Sequence, residues 1–245
     1  MDTIKFQLNA RRQPYGQGAD LSLLNESVGN EVLAFHQKFP DYRVTPLRKL
    51  EFLSQRLGLG SIHIKDEAQR FGLNAFKGLG GSYAMGKYLA ALLERDINTL
   101  SFAELNSPVI KARIKDIVFV TATDGNHGRG VAWAAEQLGL RAVVYMPKGS
   151  SPVRAQNIRR HGAECTITEL NYDDTVRLAA KTAREQGWVL LQDTAWQGYE
   201  QIPTWIMQGY MTLAVEIWQQ LAESGASMPT HLFLQAGVGS FAGSI

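Results

Sequence analysis

The stretch Ile117-Val118-Phe119-Val120-Thr121-Ala122-Thr123-Asp124-Gly125-Asn126-His127-Gly128-Arg129-Gly130 decides the fold. Its first four residues are a continuous apolar run, the pattern of a strand buried on both faces. A polar, Gly-rich turn follows from Asp124 to Gly130. Val131 to Leu138 then reads as a helix, ended by Gly139, which can take the left-handed conformation past a helix C-terminus. Arg141 to Met146 is the next expected strand, closed by Pro147 and Gly149. Further on, Ser151 to Arg160 reads as a helix, Ala163 to Thr168 as a strand, Asp173 to Gln186 as a helix and Trp188 to Gln192 as a strand. Strands alternating with helices of this length predict an α/β fold built on a parallel sheet with right-handed crossovers.

Working outward, a longer helix is expected from Thr204 to Ala222 and one more strand from His231 to Gln235. That strand runs into Ala236-Gly237-Val238-Gly239-Ser240-Phe241-Ala242-Gly243. A strand feeding a Gly-rich turn ordinarily leads into a helix whose N-terminal amides complete an anion site. The sequence reaches Ile245 without that helix, so a longer protein is expected; the alternative is a short natural C-terminus. Toward the other end, Val32, Leu33, Phe35 and His36 suit a short helix within Asn30 to Phe39, stopped by Pro40. Residues 1 to 28 are polar without periodicity and are expected on the surface. No internal repeat or low-complexity tract is present.

The 245 residues, 45% hydrophobic and 20% charged, can bury a core without disulfides or structural metal, as one large domain or two smaller ones. Net charge is +2, from 25 basic and 23 acidic residues well mixed along the chain. That balance gives no reason to invoke nucleic acid or an anionic membrane as partner. Cys165 is the sole cysteine, so neither an internal disulfide nor a cysteine zinc site can form. A reducing compartment fits. Met1-Asp2-Thr3-Ile4-Lys5 lacks an apolar leader, and no apolar run approaches bilayer-spanning length, so a cytoplasmic location is expected.

Several segments could carry chemistry. Lys77 lies in Asn74-Ala75-Phe76-Lys77-Gly78-Leu79-Gly80-Gly81-Ser82, ahead of an expected helix through Leu89. The positive end of a helix macrodipole and apolar neighbours such as Phe76 both oppose an added proton, and a neutral amine is what Schiff-base formation requires. The nearby glycines would let a flat cofactor approach the backbone. The plain alternative is a surface lysine beside a flexible loop. The Asp124–Gly130 turn offers backbone amides at a strand-to-helix junction, and Gly237-Val238-Gly239 with Gly243 could cradle a phosphate. Neither matches the dinucleotide fingerprint or the P-loop, and each could be an ordinary Gly-rich connection. His127 could be a general base or, more ordinarily, a packing residue. His36, His63, His161 and His231 show no metal-ligand spacing. Asp173-Asp174 suits a helix start. Trp133, Trp188, Trp196, Trp205 and Trp218 are expected in the core or at a domain interface.

Taken in order, Thr45-Pro46-Leu47, Lys65-Asp66-Glu67 (read as a short strand), Asn74 to Lys77, Thr123 to Gly130 and the Gly237 loop resemble the fold-type II, tryptophan-synthase-β-like, pyridoxal-phosphate enzymes. Within that group, Arg70-Phe71-Gly72-Leu73-Asn74-Ala75-Phe76-Lys77, Thr123-Asp124-Gly125-Asn126-His127, Asn171-Tyr172-Asp173-Asp174-Thr175 and Gln192-Asp193-Thr194-Ala195-Trp196 look like the diaminopropionate ammonia-lyases. Serine/threonine dehydratases of the group usually carry Ser-Gly-Asn-His at the turn; here Asp124 precedes Gly125-Asn126-His127.

The resemblance, which covers about residues 30 to 245, implies two α/β domains. Residues 111–197 would form the smaller one, with 1–110 and 198–245 contributing to an incomplete larger one. It implies pyridoxal 5'-phosphate joined to Lys77, Asn126 at the ring hydroxyl, and Gly237, Val238 and Gly239 at the phosphate. The substrate would be 2,3-diaminopropionate of either hand, the chemistry an α,β-elimination to pyruvate and ammonia, and the full-length protein a homodimer. Lys77 would be the base for the L-substrate and Asp124 for the D-substrate, with Thr123, Asp124 and Asp193 lining the substrate. A serine/threonine dehydratase and an inactive fragment serving only as an interaction module stay open as alternatives.

Overall fold

Caps and buried aliphatic runs set the elements of this computed structural model, which describes residue 10 and residues 20–245. Most of the polar segment expected on the surface thus lies outside the described residues. Helix α1 (Glu26–His36) is started by the Asn25 side chain, which accepts from the Val28 N–H, and it buries Val32, Leu33, Phe35 and His36. Strand β1 (Leu47–Lys49) pairs antiparallel with β2 (His63–Lys65) around helix α2 (Glu51–Leu57). Only Lys65 of Lys65-Asp66-Glu67 is in a strand, because the Asp66 side chain turns the chain by accepting from the Ala68 N–H at the start of a 3₁₀ turn. Helix α3 (Lys77–Leu92) is followed by the short α4 (Phe102–Leu105) and α5 (Pro108–Ile114), each capped by a serine.

The sheet comes next: β3 (Val118–Ala122), α6 (Asn126–Leu138), β4 (Arg141–Met146), α7 (Pro152–Arg159), β5 (Glu164–Ile167), α8 (Tyr172–Gln186) and β6 (Val189–Leu190). All pairings are parallel, in the order β5-β4-β3-β6. Every residue of β3 is buried, as its apolar run requires. Val118, Val120 and Ala122 pack on Ala179 and Ala183 of α8, while Phe119 faces the main core. Helix α9 (Gln201–Glu223) is the last long element; loop residues 224–241 and a terminal turn follow it.

Three expectations about the sheet and its turns are corrected. The turn read as Asp124–Gly130 is mostly helix, because the Thr123 hydroxyl oxygen accepts from the Gly125 and Gly128 N–H groups at 3.0 and 3.1 Å and starts α6 early. The strand read as 188–192 shrinks to Val189–Leu190. Beyond it the Gln192 side chain, not a backbone carbonyl, accepts from the Ala122 N–H at 3.0 Å. Residues 231–235 form no strand. Among the described residues nothing pairs with them, and Phe233 is 91% exposed. An extended segment without a ladder partner has no backbone hydrogen bonds to hold it. Of the tryptophans, Trp133 is buried but Trp196 is partly exposed and Trp218 is 61% exposed.

Helix α3 is buried on nearly all sides between α9 and α6, which is why it is apolar around its circumference. The crossings are made by glycines. A Cβ on Gly209 would lie 2.6 Å from the Leu79 carbonyl oxygen, and one on Gly130 would lie 2.6 Å from the Lys77 carbonyl carbon. The glycines after Lys77 therefore serve helix packing: Gly80 faces Tyr210 and Ile206, and Gly81 faces the Gly130 backbone. This corrects the expectation that they make room for a cofactor. Among the described residues, no helix is long and apolar enough to cross a membrane.

Candidate active site

In the order β5-β4-β3-β6, the chain leaves β3 toward β4 and returns on the other side of β3 as β6. The carboxyl ends of β3 and β6 thus diverge at a topological switch point, where a crevice opens in α/β sheets. Thr123 to His127 leave the end of β3 and Asp193 follows the end of β6, so topology brings these two segments to one place. Lys77 arrives from a third direction, as the first residue of α3, held there by the close approach of Gly130.

The Lys77 ammonium donates to Asp193 Oδ2 at 3.1 Å and lies 5.1 and 5.6 Å from the ring centroids of Tyr210 and Phe76. The amine expected to stand among apolar neighbours is therefore ion-paired as well. Burial works against the Asp193 charge, but His127 and Lys77 beside it hold its carboxyl below the usual range. His127 Nε2 donates to the Leu191 carbonyl at 2.8 Å, and its other ring nitrogen stands 3.7 Å from Asp193 Oδ2. Burial pushes the His127 ring toward its neutral form.

These groups line a cleft of about 440 Å³. Thr123, Asp124 and Asn126 line it too, as do Gly237, Val238 and Gly239, so the residues that the resemblance assigned to cofactor and substrate meet there, while Gly243 does not line it. Asp124 and Asn126 are exposed to the cleft, whereas Thr123 is buried with its hydroxyl oxygen occupied in starting α6. Gly239 has φ +96°, open only to glycine, and a Cβ on Gly237 or Gly239 would meet nothing, so bare backbone faces the cleft. Sequence reading missed the residues that hold this loop. The Ser240 hydroxyl donates to the Asp193 carbonyl, and the Phe241 ring packs 4.4 Å from that of Phe76. Their one legible signal was their place directly after the glycines. Tyr172 also lines the cleft; its phenol is pushed above its ordinary range by burial and by Asp193.

A flat, phosphorylated aldehyde fits these residues. The cleft is within the usual range for small ligands, roughly 300–1,000 Å³. It has an amine for the aldehyde, an aromatic wall at Phe76, an amide side chain at Asn126 and bare backbone at Gly237 to Gly239 for the phosphate. The sequence profile of the family described as pyridoxal-phosphate dependent enzyme matches residues 38–245, and the chain belongs to that family, with the fold-type II architecture. Its cofactor is pyridoxal 5'-phosphate.

Among its relatives, a diaminopropionate ammonia-lyase of Salmonella typhimurium is 76% identical over 244 residues, covering 100% of this chain and 60% of that protein. The diaminopropionate ammonia-lyase of Escherichia coli, solved in complex with D-serine, superposes with a TM-score of 0.87 at 52% identity, over 91% of this chain and 56% of that one. An L-threonine dehydratase of Haemophilus influenzae is 31% identical over 207 residues, 83% of this chain and 33% of the dehydratase. The chain thus spans about 60% of the length of the diaminopropionate ammonia-lyases it matches.

Proposed function

We propose that this site eliminates ammonia from 2,3-diaminopropionate, giving pyruvate and ammonia. The observation that carries the reading is the gathering of Lys77 with two carboxylates, Asp124 and Asp193, in one cleft. A substrate with two amines and one carboxylate is matched by that charge set. A dehydratase substrate, with a hydroxyl in place of the second amine, has no use for the second carboxylate. The 76% identity to the Salmonella typhimurium enzyme supports the same choice.

When bound, pyridoxal phosphate acts as an electron sink that acidifies the Cα–H of an attached amino acid. Lys77 is the residue that would hold it, with Asn126 at the ring hydroxyl and the Gly237–Gly239 backbone at the phosphate. Asp193 receives the substrate ammonium. Lys77 Nζ takes the Cα proton from the L-enantiomer, and Asp124 takes it from the D-enantiomer. The β-amine departs with a proton as ammonia, and hydrolysis of the released enamine gives pyruvate and the second ammonia. Phe76 and Tyr210 exclude water from around the amine. Residues 111–197 are read as the smaller domain, flanked by two contributions to the larger one. A homodimer in the cytoplasm belongs to the same reading.

Two measurements test it. The protein mixed with pyridoxal phosphate is expected to show a visible absorption band that Lys77→Ala abolishes. Pyruvate release is expected from both enantiomers of diaminopropionate, with Asp124→Ser losing the D-substrate by roughly 10²-fold or more while the L-substrate persists. Equal turnover of both enantiomers by the variant, or a preference of the parent for L-serine or L-threonine, would favour the dehydratase reading.

A further inference from the structure

His127 is nine-tenths buried, yet its Nδ1 has no hydrogen-bond partner. The other ring nitrogen donates to the Leu191 carbonyl, so in the neutral ring Nδ1 carries a lone pair and no proton. That lone pair faces Asp193 Oδ2 at 3.7 Å, and the same oxygen accepts from Lys77 Nζ at 3.1 Å. Two buried acceptors facing one another are unfavourable unless a proton lies between them. One carboxylate oxygen thus accepts from an ammonium that has a proton to lose and stands 3.7 Å from a ring nitrogen with room to take it.

We propose, resting on the assignment of Lys77 as the cofactor-bearing lysine, that His127 is a positioning residue that receives the Lys77 proton across Asp193. The N–H bond breaks at Nζ and forms at Nδ1, so Lys77 becomes the neutral amine its chemistry needs. In passing, the proton is bonded to Asp193 Oδ2; before and after the transfer Asp193 is an anion with a cationic partner, and the net charge of the three groups does not change. Tethering Nε2 to the Leu191 carbonyl keeps Nδ1 aimed at the carboxylate in both states. The charged or titratable groups facing the ring are Asp193 after β6, Lys77 at the start of α3 and Asp124 ahead of α6. Of these, only Lys77 opposes a charge on the ring, and burial opposes it too. The transfer itself removes the lysine charge, so the one charge that opposes an imidazolium is gone once the ring is protonated.

The test reads the ring directly, by ¹⁵N NMR of histidine side chains in the parent, Lys77→Met and Asp193→Asn, without cofactor. The His127 signal among the 5 histidines is assigned from its loss in His127→Gln. The parent is expected to show a neutral ring protonated at Nε2. Lys77→Met is expected to raise the ring's titration midpoint by about one pH unit or more, giving an imidazolium, and Asp193→Asn to keep it neutral. A neutral ring with an unmoved midpoint in Lys77→Met, or a parent protonated at Nδ1, would overturn the proposal. In the active protein, His127→Asn is expected to shift the acidic limb of the pH–rate profile upward with KM little changed; an unshifted limb counts against the relay. The NMR result stands whatever the substrate proves to be, so failure of the lyase reading and failure of the relay remain distinguishable.

Discussion

At the scale of single residues, the cleft depends on atoms that are absent as much as on those present. Gly130 lets α6 lie against the first peptide of α3, and a methyl group there would meet the Lys77 carbonyl carbon at 2.6 Å. Backbone cannot yield as the tip of a flexible side chain can, so the helix start must move. Gly130→Ala is expected to weaken pyridoxal phosphate binding at least tenfold by absorbance titration, at a stability cost of about 1–3 kcal/mol. Unchanged affinity would mean that the contact does not position Lys77. Lys77 stood out in its own segment as a capable side chain among small residues, whereas Asp124 and Asn126 took their roles from the resemblance, their turn by itself offering only backbone amides at a strand-to-helix junction. Asp193 rested on resemblance alone, since a carboxylate after a strand is unremarkable until Lys77, 116 positions away, is seen beside it.

At the scale of elements, α1, α3 and α9 are joined by one buried histidine. His36 Nε2 donates to the Leu79 carbonyl at 3.0 Å, and its Nδ1 accepts from the Thr212 hydroxyl at 2.7 Å. Burial first, then the Arg70 charge, hold its pKa down to about 3. Between its usual value of 6.5 and that level, only the unfolded chain takes up the proton. Its stabilising contribution is therefore complete above the unfolded value and lost progressively as pH falls below it. Thermal unfolding followed by circular dichroism is expected to show a loss on the order of 2 kcal/mol from neutrality to about pH 5, a slope that His36→Asn reduces. An equal slope in the variant would place the acid sensitivity elsewhere. His127, shifted in the same direction by burial, adds a term of the same sign. Sequence periodicity located the apolar face of α1 but not its ends: the Asn25 cap starts it at Glu26, and it stops at His36 ahead of Pro40. The role of His36 depends on two partners in distant elements.

At the scale of the whole molecule, the segment from Tyr42 to Arg70 is fastened to α9 by a buried cluster of charges. Arg70 and Lys65 approach Glu216 Oε2 at 2.7 and 2.6 Å, the Tyr42 hydroxyl donates to its other oxygen at 2.8 Å, and Glu67 completes the balance on Arg70. Burial disfavours the Glu216 charge, yet Arg70 and Lys65 hold its carboxyl below the usual range. Removing one member leaves the others buried and unbalanced, so Glu216→Gln is expected to cost about 3–5 kcal/mol in urea unfolding. A loss below ~1 kcal/mol, the scale of an exposed pair, would show the cluster to be dispensable.

The alternating pattern from Ile117 to Leu190 could be read without coordinates, because each strand and helix there is specified by its own periodicity and caps. It failed where a side chain replaced a backbone partner, as Thr123 does at the start of α6 and Gln192 does beside β3. It failed again at 231–235, where a strand needs a neighbour that local sequence does not supply. Local sequence can select a backbone hydrogen-bonding pattern because the partners are a few residues apart. The Lys77–Asp193–His127 arrangement and the Arg70–Glu216 cluster join residues more than a hundred positions apart, and no short-range pattern encodes that distance. Those contacts follow from the order of strands in the sheet and from glycines that let three helices pass close together, which is why they became visible only once the chain was folded.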